Sequence, residues 1–215
     1  AQEPSPTSPD KNPVTDAAAE AQAADIVKGT SAEVKAAAEA EAARAGEDWA
    51  QLSWQRRQKL CASAAATVLQ AKIDAGPERT QALCRNLRAL EPVEAVATTS
   101  ATSPPFPRLG LSLAFLLLMA PLVPEGATTA EACFYLFMSL TPRALSSVAD
   151  GLVRLNACDP ASGLPYAATA TVFASHAWKY EFAMLLAALA AFVNAQADPS
   201  RVYIWFDCAV RCLLP

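Results

Sequence analysis

At 215 residues the chain has room for one large domain or two small ones, and a net charge of −4 removes any global electrostatic case for nucleic acid. Apolar residues make up 53% and charged residues 18%, against about 25% charged in an average soluble domain. With seven glycines and one histidine, glycine-rich nucleotide loops and histidine-based zinc sites are excluded.

The charges are uneven. Of 38 charged residues, 25 fall in residues 1–100. The front of the chain therefore reads as solvated, and the back must bury itself in a core, a partner or a lipid phase. Six cysteines stand at 61, 84, 133, 158, 208 and 212, scattered over apparent helix faces with no Cys-x-x-Cys, so reduced buried thiols are expected. The chain begins at Ala1, which fits a processed form from which a targeting segment has been removed.

Residues 1–16 hold Pro4, Pro6, Pro9 and Pro13 among Ser, Thr, Asp and Asn. Such a composition cannot pack a core and predicts an extended tail. Residues 17–90 are an alanine-rich, charged helical segment. Thr30-Ser31-Ala32-Glu33 has capping-box spacing, and Gly46 is a plausible stop. A second helix is expected from Ser53, with Leu60, Ala64, Val68 and Ala71 on one stripe, ended by Gly76-Pro77. Pro77 suits the start of a third helix, with Leu83, Leu87 and Leu90 on its apolar face and Pro92 closing it. Arg56, Arg57 and Lys59 form a small basic cluster beside Glu47 and Asp48, which reads as a solvated face.

Residues 91–108, EPVEAVATTSATSPPFPR, are a Pro/Thr/Ser linker and the expected domain boundary. Leu109 to Val123 follows, fifteen residues without a charge. As a helix it spans about 22 Å, short of the roughly 30 Å of a bilayer core. A buried core helix, a membrane or membrane-complex contact, and a vestigial signal-like segment all remain open. Thr128-Thr129-Ala130-Glu131 again has capping-box spacing, and the helix it begins carries Phe134, Tyr135, Phe137 and Met138, so burial on more than one side is expected. Thr141-Pro142 restarts a helix with Leu145, Val148, Leu152 and Leu155 on its stripe; residues 159–163 form a turn.

Thr169 to Asp207 has a clear plan. A strand ends near Ser175-His176. A helix carries Phe182, Leu185, Leu186, Leu189 and Phe192. A second strand, Val202 to Phe206, has almost no polar residue, as expected of a strand covered on both faces. Strand, helix and strand of these lengths predict a crossover with two parallel strands and open edges. His176 and Ser175 are neighbours, and neighbours on a strand point to opposite faces, which makes them poor catalytic partners. Asp207 reads as a loop cap.

Val172-Phe173-Ala174-Ser175-His176-Ala177-Trp178, the helix, and Ile204-Trp205-Phe206-Asp207 resemble the first βαβ unit of Toll/interleukin-1-receptor-like (TIR-like) domains, in a Ser-His-Ala-Trp form common in algal proteins. The resemblance implies a photosynthetic or related eukaryote, and a fold used for domain association or, in some members, NAD cleavage. The sequence given ends eight residues after Asp207, and no Glu follows Glu181, so the family's catalytic acid has no counterpart. More locally, Glu33 to Ala37, Trp49 to Ser53, Arg56 or Arg57, Leu60 and Ala64 resemble the helix pair near the start of aldehyde dehydrogenases. That family's nicotinamide-binding and catalytic-cysteine segments have no match, and no activity is transferred.

The expected fold class is mainly α, helical with an extended N-terminal tail and a linker, plus one small βαβ unit at the C-terminus. Residues 109–215 hold the apolar helices and that unit. The expected function is a non-catalytic structural or linker subunit within a larger, organellar membrane protein assembly, in a chloroplast sooner than a mitochondrion; a photosystem with its antenna is one candidate. No catalytic or metal-binding residue and no cofactor is identifiable. The expected partners are other protein subunits, with membrane contact through 109–123 and no nucleic acid. Leu109, Phe115, Leu118, Phe134, Phe137, Trp178 and Trp205 are the candidate contact residues. The alternative is a fragment of a TIR-like signalling or NAD-cleaving protein.

Overall fold

The computed structural model describes residues 30–91, 109–140, 147–175 and 177–206. The proline-rich tail, residues 92–108, Thr141-Pro142, His176 and Asp207 lie outside these residues. The fold is mainly helical with a small four-stranded sheet.

Helix α1 (Ala32–Arg44) and helix α2 (Trp54–Ala75) form an antiparallel hairpin. Three side-chain pairs fix the direction. Glu33 meets Lys72 at 3.1 Å, Ser63 donates to Glu41 at 3.1 Å, and Arg56 meets Glu47 at 2.9 Å. Val34, Ala38 and Ala42 recur every four residues and close on Leu60, Cys61, Ala64 and Ala65. The small side chains let the two backbones approach closely. Gly46, at φ +74°, makes the left-handed stop that ends α1. Ser53 caps α2 as expected, its hydroxyl accepting from Arg56 N at 3.3 Å. Ser31, one residue after the Thr30 that the spacing points to, stands at the N-cap of α1, and its side chain makes no cap hydrogen bond.

Helix α3 (Glu78–Arg88) follows Pro77 and buries Thr80, Cys84 and Leu87. Leu69 and Ile73 of α2, with Cys84 and Leu87 of α3, enter the same core as Leu111, Phe115, Phe137, Ile204 and Phe206. Residues from both sides of the 91–108 stretch thus share one apolar interior.

The fifteen-residue apolar run is not one helix. Gly110–Ser112 is strand β1, Leu113–Met119 is helix α4, and Ala120–Leu122 is a 3-10 turn. Ser112 ends the strand and caps the helix, accepting from Phe115 N at 3.2 Å. Leu111, Phe115, Leu116, Met119 and Leu122 are buried, so most of the run serves the core. Among the described residues no helix is long and apolar enough to cross a membrane.

Helix α5 runs continuously through Thr129–Glu131, a π-helical stretch Ala132–Phe137, and Met138–Leu140. It is buried on two sides, as expected. Tyr135 packs on the α1–α2 cluster, and Phe137 sits in the main core with its ring 6.3 Å from Phe182 and 6.2 Å from Phe206. Helix α6 (Val148–Arg154) is capped by Ser147 and buries Val148 and Leu152.

Strands β2 (Ala167–Ala168) and β3 (Val172–Phe173), helix α7 (Phe182–Asn194) and strand β4 (Tyr203–Trp205) complete the fold. The sheet order is β2-β1-β4-β3. The expected parallel pair is present, with Val172 opposite Ile204 and Phe173 opposite Trp205. The expected open edge of β4 is filled, because β1 pairs with it antiparallel, Leu111 opposite Ile204. Leu111, Ile204 and Val172 share the face that looks into the core; Phe173, Trp205 and Tyr203 share the other.

Candidate functional site

Helix α7 reads FAMLLAALAAFVN, thirteen residues with no charge. Alanine and leucine make it a strong helix former. Its buried stripe is Phe182, Leu186, Leu189 and Val193. Phe192, expected on that stripe, is 44% exposed, because the four-residue step from Leu189 brings Val193 inward instead. Met184 is 69% exposed. Ala183, Ala187, Ala188 and Ala191 are exposed between them. A helix with polar residues on neither face is normally covered on both. Here one face is open.

Alongside this face runs a groove of about 340 Å³ between α4 with its 3-10 extension and α7. Leu117, Ala120, Ala183, Leu186, Ala187 and Ala190 line it, together with Glu125 and Glu181. Leu117 is 49% exposed, the one residue of the fifteen-residue run that offers a large apolar side chain to the surface.

The start of α7 is held by the start of α5. Phe182 N donates to Ala127 O at 2.9 Å, Thr129 N to Tyr180 O at 2.7 Å, and Ala130 N to Trp178 O at 3.0 Å. Thr128 and Glu131 form the expected capping box, with Thr128 N donating to Glu131 Oε2 at 2.8 Å and Glu131 N to Thr128 Oγ1 at 3.3 Å. All four amides at this helix start are therefore satisfied. The second carboxylate oxygen, Oε1, accepts from Ser31 N at 2.5 Å, one hundred residues earlier in the chain. Glu131 is 1% exposed and joins the starts of α1 and α5. Burial pushes its carboxyl above the ordinary range, and hydrogen bonds from Thr128 and Ser31 oppose that shift. Both oxygens are engaged and no solvent reaches them, so Glu131 is a structural tie.

Around it lie Cys61, raised by burial, and Tyr135, pushed by burial up to about 12. Cys84, in the main core, is pushed up to about 11 for the same reason. These are inert groups. Cys61, Cys84 and Cys133 are buried, and Cys158 is exposed. Of these four, only Cys158 is expected to take iodoacetamide in the native chain, with the other three labelled only in denaturant; peptide mass spectrometry reads the order.

The candidate contact residues go to different places. Phe115 and Phe137 are 0% and 1% exposed and lie in the core. Leu109 and Leu118 are half-buried against the same core. Phe134 and Trp178 lie together, ring centroids 6.3 Å apart, and Phe134 borders a second groove of about 360 Å³ with Gln58, Ala62, Ala66 and Ser139. Trp205 stacks on Phe173 at 5.0 Å on the outer sheet face. Met184, Phe192 and Leu117 were not among the expected residues. Their signal was present in the charge-free α7 and in the position of Met184 off the Phe182–Leu186–Leu189 stripe.

Two members of the basic cluster have partners on the same surface. Arg56 donates to Glu47 at 2.9 Å, while Arg57 donates to Ala50 O at 3.0 Å and lies over the Trp49 ring. Among the described residues no three His, Cys, Asp or Glu side chains are grouped to hold a metal. No protein-family model, no curated protein and no solved structure matches the chain.

Proposed function

We propose that this protein is a non-catalytic structural or linker subunit that binds other subunits of a larger assembly. The observation that carries the reading is α7, a charge-free helix with Met184 69% and Phe192 44% exposed beside an apolar groove. Contiguous apolar surface bordered by polar residues marks a contact site in soluble proteins. The clustered ionisable groups support it too. Glu131 is tied at both oxygens and Tyr135 and Cys61 are held neutral by burial, which leaves that cluster no free acid, base or nucleophile.

The proposed setting is an organellar membrane assembly, a chloroplast one sooner than a mitochondrial one, with a photosystem and its antenna as one candidate. The support is the Ser175 to Trp178 stretch and its resemblance to algal TIR-like proteins. Most of the 109–123 run packs on the core, and Leu117 is its exposed large apolar residue. The alternative, a TIR-like fragment, draws support from the parallel β3–α7–β4 unit.

Native mass decides between them. Isolated from its source in mild detergent, the chain is expected in a particle far heavier than its own 22.6 kDa. Recovery as a soluble monomer after mild lysis would sink the subunit reading. NAD consumption by the purified chain would favour the alternative.

A further inference from the structure

We propose that the groove between α4 and α7 receives an apolar helix of another protein, one that carries Lys or Arg in its last turn and lies antiparallel to α7. This rests on the reading of the α7 face as an interface, and specifies the occupant.

The shape of the groove points to a helix. Ala183, Ala187 and Ala190 line its α7 wall at successive turns, with Ala120 and Leu117 on the other wall. Small side chains on one wall let a second helix approach to the roughly 8–10 Å axis separation of packed helices. From residue 183 to 190 the groove follows α7 for about 10 Å, two turns, so a partner of two or three turns fills it.

Charge decides what kind of helix. The ionisable residues lining the groove are Glu125 and Glu181, and both stand at the N-terminal end of α7. Neither takes part in an ion pair among the described residues. Lys179, two residues before Glu181, does not line the groove. A partner with cations at this end gains two new pairs at the rim, and one without them leaves two carboxylates facing an apolar helix. Cations are favoured in the last turn of a helix, where the carbonyl ends are exposed. The partner's C-terminus therefore lies at the N-terminus of α7, which sets the antiparallel orientation.

The same charges argue against other occupants. Anionic lipid headgroups meet two carboxylates and a chain of net charge −4. A second copy in a symmetric pair would bring its own α7, which has no cation to offer.

The test uses the full chain and fluorescein-labelled synthetic helices of roughly 18 residues. All share one Leu/Ala stripe. One has two Lys in its last turn, one has two Lys in its first turn, and one has two Glu in its last turn. Anisotropy is expected to show the first binding roughly tenfold more tightly than the third, with the second in between. The Glu125→Lys/Glu181→Lys chain is expected to reverse the order. The Glu125→Gln/Glu181→Gln chain should abolish the preference and covers the case in which the double lysine chain misfolds. Equal binding of all three helices overturns the proposal, as does no binding. So does binding to phosphatidylserine vesicles, or a dimeric native mass of the chain alone that Met184→Glu dissolves. If the helices fail while the native chain still sits in a heavy assembly and Met184→Glu removes it, the occupant is wrong and the interface stands.

Discussion

Replacing Glu131 with alanine is expected to lower stability by about 3 kcal/mol and the thermal midpoint by about 6–12 °C. The substitution leaves one buried donor, Ser31 N, and one part-buried donor, Thr128 N, without their acceptor. Each such loss costs about 1–3 kcal/mol, and relief of the buried carboxylate's desolvation offsets part of the sum. Glu131→Gln is milder. Its amide oxygen can serve one donor, but its NH2 then faces the other. The pair of variants also isolates a pH effect. The folded-state pKa of Glu131 is raised, chiefly by burial, so the folded chain holds this proton more tightly than the unfolded one. That contribution is full below the unfolded value, about 4.3, and is lost as pH rises through the folded value. The lead of the native chain over Glu131→Gln should therefore be larger at pH 4 than at pH 7. Urea midpoints at the two pH values measure it, and a lead that grows with pH contradicts the assignment.

Gly110→Ala is expected to be as damaging, by about 3 kcal/mol, for a different reason. A Cβ at this position would lie 2.9 Å from the backbone carbons of Tyr203 and Ile204 and from Ala170 Cβ. Backbone atoms of a paired strand cannot swing away as a side-chain tip can. β1 is the strand that joins β2 to β4, so its displacement opens the sheet on both sides. The expected readout is loss of amide protection at Leu111, Ile204 and the residues paired with them, together with a lowered thermal midpoint. Unchanged protection in the variant would show that β1 is not held by this close approach.

Local signals were legible where one short motif decides one local structure. Ser53 and the Thr128–Glu131 box start helices where the spacing says they do, because capping is set within four residues. The Leu60–Ala64–Val68 stripe and the parallel β3–β4 pair also follow from periodicity. The fifteen-residue apolar run hid a strand, since a three-residue buried strand and the first turn of a buried helix look alike without polar residues to set a period. Filling the edge of β4 with Gly110–Ser112 is a pairing across more than ninety residues, and no local signal encodes it.

The same limit governed the contact residues. Aromatic content announces that Phe115, Phe134 and Phe137 leave water, but not whether a core or a partner receives them. In α5 the π-helical turn sends Phe137 inward and leaves Phe134 37% exposed. The spacing points to Thr30 and Glu33 at the start of α1, whereas Ser31 stands at the cap and its N–H is tied to Glu131 by a contact visible only in three dimensions. In α7 the absence of charge was visible throughout, yet which half stays open depends on where α4 and the sheet stand.

The α7 face is expected to be covered in the native assembly. Oxidation of Met184 tests it most directly, because a methionine 69% exposed in the free chain turns readily to sulfoxide and one packed in an interface does not. The assembly isolated in mild detergent and the chain released from it are treated with the same dilute peroxide, and the peptide spanning Phe182–Asn194 is weighed. Protection of Met184 in the assembly and oxidation in the released chain is the expected result. Equal oxidation in both states would contradict the account.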